Sequence, residues 1–213
     1  MARSIWAFGL LALLSLPFTV RAETETHTDV YISLYALGSW PYDRDAFVLT
    51  GPAPGTSVGS GAGAGLKVAV FPVMGRGFFG IELESMGNSS NLSVPLTTGP
   101  GAGSVGRTNL WVFNSMANLI LRYPGLPVIP YIGIGGGLSQ GVLSGANIPG
   151  RSDQDFESSA TFGYQFFGGL QTNVTKRIFL FGEYKYLSAN YHWQSLSLEY
   201  RSQYLGAGIG LRF

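Results

Sequence analysis

From Asp29 onward the chain alternates apolar and polar positions in blocks of roughly ten residues, a length suited to a tilted strand crossing a bilayer. Strand residues at i and i+2 share a face, so each block predicts a strand with one greasy and one polar side. The blocks run over Asp29–Trp40, Val58–Phe71, Gly77–Met86, Asn109–Tyr123, Pro130–Ser139, Ser159–Thr172, Ile178–Leu187 and Glu199–Phe213. They number eight, and an even number lets both chain ends emerge on one side of a closed antiparallel ring.

The connections between blocks add direction. After the second, fourth and sixth blocks they are short, "PVMGRG", "PGLPV" and "NVTKR", each with turn-forming Pro, Gly or Asn. After the first, third, fifth and seventh they are long and rich in Gly, Ser, Asn and Pro, as in "PYDRDAFVLTGPAPGTS". Short turns at one end and long loops at the other are the asymmetry of outer-membrane barrels, whose turns face the periplasm.

The charged positions then identify the faces. Glu82 and Glu84 alternate with Phe79, Ile81 and Leu83, and Arg122 shares parity with Asn114, Met116 and Asn118. Lys67 falls in register with Gly61, Gly63 and Gly65, opposite Leu66, Val68 and Val70. In "FLFGEYKYLSAN", Glu183 and Lys185 share one face while Leu180, Tyr184 and Tyr186 take the other. A basic side chain facing lipid at mid-depth costs about 2–4 kcal/mol, so the charged parity is the inner one. Lys67, Glu82, Glu84, Arg122, Glu183 and Lys185 are therefore expected to converge in the lumen as a paired network. Phe179 and Phe181 share the parity of Glu183, so they either pack inside near the turn end or a bulge resets the register. Trp40, Trp111, Tyr123, Tyr131, Tyr184 and Tyr186 are expected in interfacial aromatic girdles.

Composition changes the picture at the amino terminus. Arg3, the apolar run "SIWAFGLLALLSLPFTV" and the small residue Ala22 read as a secretory signal peptide, residues 1–22, leaving one domain over residues 23–213. Removing Arg3 and Arg21 leaves acids and bases nearly balanced, which gives no case for nucleic acid binding. Cysteine is absent, so neither disulfides nor thiolate metal sites are available.

Candidate chemistry is sparse. His27 and His192 are the two histidines. On a single strand the odd offsets from His192 to Ser195, Ser197 and Glu199 would place them on the opposite face, so a base–nucleophile pair is not expected. His192 instead reads as part of an external loop with a surface aromatic cluster of Tyr191 and Trp193. No glycine run satisfies the GxGxxG spacing of a nucleotide-binding loop. The acidic run Arg151–Glu157 lacks the spacing of a calcium loop and reads as a solvated cluster. No metal, cofactor or catalysis is expected.

"LFGEYKYL", "MANLILRY" followed by "PYIGIGGGL", and the closing "YLGAGIGLRF" resemble the strands of the outer membrane protein A family and its small-barrel relatives. The resemblance covers residues 23–213, without the peptidoglycan-binding domain that larger members carry. It implies an all-β fold, an eight-stranded antiparallel up-and-down transmembrane barrel in the outer membrane. It also implies that the terminal aromatic Phe213 belongs to the signal read by the barrel assembly machinery. The expected function is a structural or surface-interaction barrel with four external loops, surrounded by outer-membrane lipid and lipopolysaccharide and able to meet an external partner. A narrow ion or solute channel is the alternative, with a lipid-modifying enzyme behind it. A soluble lipocalin-like barrel would invert the faces, against the placement of the charges.

Overall fold

The computed structural model describes residues 28–43, 46–48, 51–95, 103, 105–147, 156–193 and 196–213. The segment read as a signal peptide, His27, Ser195 and residues 151–155 of the acidic run lie outside them.

Eight long strands form the wall: β1 Asp29–Pro41, β2 Gly61–Phe71, β3 Phe79–Pro95, β4 Val105–Arg122, β5 Val128–Asn147, β6 Phe156–Asn173, β7 Ile178–His192 and β8 Leu196–Arg212. Each pairs antiparallel with its chain neighbours, and β8 pairs back onto β1 from Tyr31↔Arg212 to Pro41↔Ser202. This closed ring leaves no barrel strand with an unpaired edge, as hydrocarbon requires of any sheet that spans it. The fold is the eight-stranded antiparallel up-and-down barrel expected from the alternation.

The turns are 72–78, 123–127 and 174–177, and Gly125 takes a φ of 89° that favours glycine. At the other end β3 to β8 run on past the expected blocks. The fourth connection, expected to be long, shrinks to residues 193–195. With 20 residues, β5 extends about 65 Å, or about 50 Å along the axis at a 40° tilt, twice the roughly 25 Å apolar band of such barrels. β1 and β2 stop short, and pieces of the loop between them continue the wall. Ala46–Val48 pairs with β8, and Ser57–Val58 pairs with β3.

Along the axis both faces change character. In the turn-end half the outside is Phe79, Ile81, Leu83, Leu119, Leu121, Ile209 and Leu211, all exposed. Further up, the same outward rows turn polar: Ser89, Asn91 and Ser93 on β3, Arg107 and Asn109 on β4, Glu199, Arg201 and Gln203 on β8. Inside, the order reverses. Lys67, Glu82, Glu84 and Glu183 give way to buried Leu92, Val94, Leu110, Val112, Leu143, Leu187, Tyr191 and Leu198. The barrel is polar-inside and greasy-outside in its turn-end half, and greasy-inside and polar-outside beyond it.

That inversion corrects the reading of Tyr191 and Trp193 as a surface cluster. Both rings are buried inside the loop end, 5.2 Å apart, and Trp193 Nε1 donates to the Gly141 carbonyl at 3.1 Å. Tyr131, expected in the outer girdle, is also inside, whereas Trp40, Trp111, Tyr123 and Tyr184 are exposed. Phe179 and Phe181 are buried in the lumen, and β7 keeps continuous register on both sides, so no bulge is needed.

Candidate functional site in the barrel lumen

The inward rows of β2, β3 and β7 bring five of the six expected charges together. Lys67 Nζ lies 2.7 Å from Glu183 Oε2, 3.5 Å from Glu82 Oε1 and 3.6 Å from Glu84 Oε1. Lys185 pairs with Glu84 and lies 3.3 Å from Glu183 Oε1. All five side chains are almost fully buried. Charges so enclosed persist only if attraction and hydrogen bonding offset several kcal/mol of desolvation per ion.

The remaining lone pairs are met by neutral side chains. Tyr35 Oη donates to Glu84 Oε1 at 2.5 Å, Tyr131 Oη to Glu183 Oε2 at 3.1 Å and Tyr31 Oη to Glu82 Oε2 at 3.4 Å. Asn118 Nδ2 bridges Glu82 Oε1 at 2.9 Å and Glu84 Oε2 at 3.3 Å, and Gln165 Nε2 adds a bond to Glu84 Oε2 at 2.6 Å. Lys67 Nζ also sits over the rings of Tyr35, Phe167 and Phe181, each centroid 5.1–5.4 Å away, so the cation meets π faces where it does not meet carboxylates.

Arg122 stands nearer the turn end. Its guanidinium is 2.7 Å from Asp29 Oδ2, donates from Nε to the Gly77 carbonyl at 2.7 Å and stacks 3.6 Å above the Phe71 ring. Arg212 Nε reaches the other Asp29 oxygen at 3.0 Å. The expected convergence of six charges is thus corrected to two tiers. Three glutamates with two lysines carry one excess negative charge, and two arginines with Asp29 carry one excess positive charge, so the tiers balance.

Inward glycines make room for these side chains. A Cβ on Gly65 would stand 2.4 Å from the Tyr35 ring, and one on Gly210 would stand 2.1 Å from Phe179 Cζ. Around the ions the lumen is filled in consequence. Between Tyr31, Lys67, Glu82 and Tyr131 the remaining space is about 10 Å³, close to the least that holds one water. Above the ions, Ser139 Oγ donates to Asn114 Oδ1 at 2.5 Å and bonds Tyr191 Oη at 2.6 Å, and the apolar plug begins there.

Tyr31, Tyr35, Tyr131, Asn118, Gln165, Asp29 and Arg212 are lumen residues that charge alone did not reveal. The inward row of β1 was readable from Ser33 and Ser39, which share the parity of Asp29, Tyr31 and Tyr35. His192 is the last residue of β7 rather than part of a loop. The antiparallel pairing of β7 with β8 makes it the cross-strand partner of Ser197, on the same outward face, which overturns the single-strand parity argument. Glu199, the nearest acid on that face, pairs with Arg201.

No family model matches the chain, and no curated protein matches it. Solved structures do. OprG of Pseudomonas aeruginosa superposes with a TM-score of 0.60 at 14% identity, covering 87% of this chain and 95% of that one. Neisserial surface protein A gives 0.55 at 17% identity, covering 86% and 97%. Ail, the attachment invasion locus protein of Yersinia pestis solved with the heparin analogue sucrose octasulfate, gives 0.50 at 13%, covering 88% and 100%. The chain has the fold of the eight-stranded outer-membrane β-barrels.

Proposed function

We propose that this protein is a non-catalytic outer-membrane barrel, closed to solutes, whose work is done by the surface it presents at its loop end. The observation that carries this reading is the filling of the lumen in series, first by the paired ions and then by the apolar plug of Leu110, Val112, Leu143, Tyr191 and Trp193. A narrow channel would require both fillings to open together. The turn end and both termini face the periplasm, and the loop end faces outward, with lipid and lipopolysaccharide around the wall. Phe213, directly after β8 and 73% exposed, is the residue offered to the barrel assembly machinery.

The strands that run beyond the membrane act as a rigid stem, and connections on such a scaffold are suited to recognition. The loop segments carry Asp43, Asp45, Asp153 and Asp155 against Arg44 and Arg151. That excess of acid disfavours a sulfated polymer of the kind bound by Ail and favours a cationic or neutral partner.

The absence of cysteine makes the test clean. Single cysteines at Asp43 and at Lys176 are treated on intact cells with a membrane-impermeant maleimide. Labelling at position 43 but not 176 supports the reading, and the reverse pattern, or labelling of neither, contradicts it.

A further inference from the structure

Charge is sorted along the barrel axis. Arg76, Arg122, Lys176, Arg177 and Arg212 stand at the turn end against Asp29, and the three turns contain no acidic residue. Two of the turns are basic, 72–78 through Arg76 and 174–177 through Lys176 and Arg177, while 123–127 between them is uncharged.

Beside that uncharged turn the lipid-facing wall is concave. A hollow of about 540 Å³ with almost wholly apolar walls lies between Phe79, Ile81, Leu119, Leu121, Ile132 and Ile134. A second, of about 270 Å³, shares Leu121 and Ile132 and reaches Phe78, Tyr123 and Pro130 at the turn itself. The two hollows share Leu121 and Ile132 and so lie side by side as a shallow groove that opens at the rim. A flat wall sheds lipid chains indifferently, whereas a groove wraps one chain and removes more of its surface from its neighbours.

Arg76 lies in the turn beside this groove, though it does not line it. It stands in the hairpin whose flanking residues Pro72 and Phe79 line the hollow. Its φ of 49° is left-handed, a conformation that glycine adopts more easily, and it lies between Gly75 and Gly77. Val73 and Met74 beside it are exposed, Met74 by 98%. Apolar tips next to cations suit the headgroup layer, where the aliphatic part is buried and the charge stays wet.

We propose that the groove and its basic rim bind an anionic phospholipid of the leaflet at the turn end, with its phosphate on Arg76 and one acyl chain in the hollow. Lys176 and Arg177 raise the positive potential along the same rim. The proposal rests on the membrane orientation given above and adds a ligand to it.

The test uses the refolded chain of residues 23–213 in phosphatidylcholine vesicles, with trace phosphatidylglycerol or phosphatidylcholine spin-labelled on the acyl chain. At low salt the motionally restricted fraction is expected to favour phosphatidylglycerol by about fivefold, the effect of one basic residue near an anionic headgroup. Arg76→Gln/Lys176→Gln/Arg177→Gln should bring that ratio close to one, and Arg107→Gln/Arg201→Gln at the loop end should leave it intact. Ile132→Trp, which fills the hollow without changing charge, should lower the restricted fraction. Equal restriction of both lipids by the unaltered protein overturns the site, as does a preference that survives the triple change or is abolished by the loop-end change. A preference untouched by Ile132→Trp overturns the role of the groove. Heat-modifiable migration on gels monitors insertion in every sample. A chain that never inserts contradicts the membrane reading itself, while an inserted chain without preference contradicts only the lipid site.

Discussion

Lys67 Nζ and Glu183 Oε2 meet at 2.7 Å through the lumen, joining β2 to β7 with β1 and β8 between them. Removing one member of a buried pair leaves an uncompensated charge and costs about 3–5 kcal/mol. Lys67→Met is therefore expected to lower stability by about that much in urea unfolding from lipid vesicles. Lys67→Met/Glu183→Gln should cost less than the sum of the single changes, because the two groups interact directly. Additive losses would show that the pair is not coupled.

The outward row of β3 passes from apolar to polar, from Leu83 to Asn91. An arginine at Leu83 should cost about 2–4 kcal/mol, and the same residue at Asn91 about 0–1 kcal/mol. Folding free energies of the two variants in the same vesicles measure this depth dependence. Equal costs would mean that the apolar band is not where the inversion puts it.

Parity was legible in the sequence, and the medium each face meets was legible only in part. On β3 the contrast between Glu82 and Glu84 and the row Phe79, Ile81, Leu83 identifies inside from outside. Leu110 and Val112 share the parity of Asn114 and Arg122, yet they form a greasy inner face because at that height of β4 the polar row is the outward one. A period of two tells which residues share a face and nothing about what covers it. Tyr131 shows the same limit, since a phenol suits an interfacial girdle or a buried carboxylate equally well. The pairing of His192 with Ser197 was hidden because it depends on where the hairpin turns. The second tier of charge was missed because Asp29 and Arg212, at the two ends of the barrel wall, meet only when β8 closes onto β1.

The apolar plug has a spectroscopic signature. With Trp40 and Trp111 replaced by phenylalanine, the chain of residues 23–213 keeps Trp193, buried and bonded to the Gly141 carbonyl. Its fluorescence should be blue-shifted and poorly quenched by both acrylamide and brominated lipids. Strong acrylamide quenching would return Trp193 to the surface.

The glycine floor beneath the lumen rings should be intolerant of side chains. Gly210→Ala puts a methyl group against Phe179, and overpacking of this kind costs about 1–3 kcal/mol. Phe179→Leu in the same chain should recover part of the loss, measured by the same unfolding assay. A neutral Gly210→Ala would mean that the Phe179 ring does not cross over β8.

The central claim is that ions and plug close the barrel. Single-channel recording of the refolded chain of residues 23–213 in a planar bilayer, beside Glu183→Gln/Lys185→Met, tests it most directly. Silence from both is the predicted result, because the plug persists when the ions are altered. Discrete steps from the unaltered protein, changed in amplitude by the double substitution, would contradict it and make the lumen a conducting path.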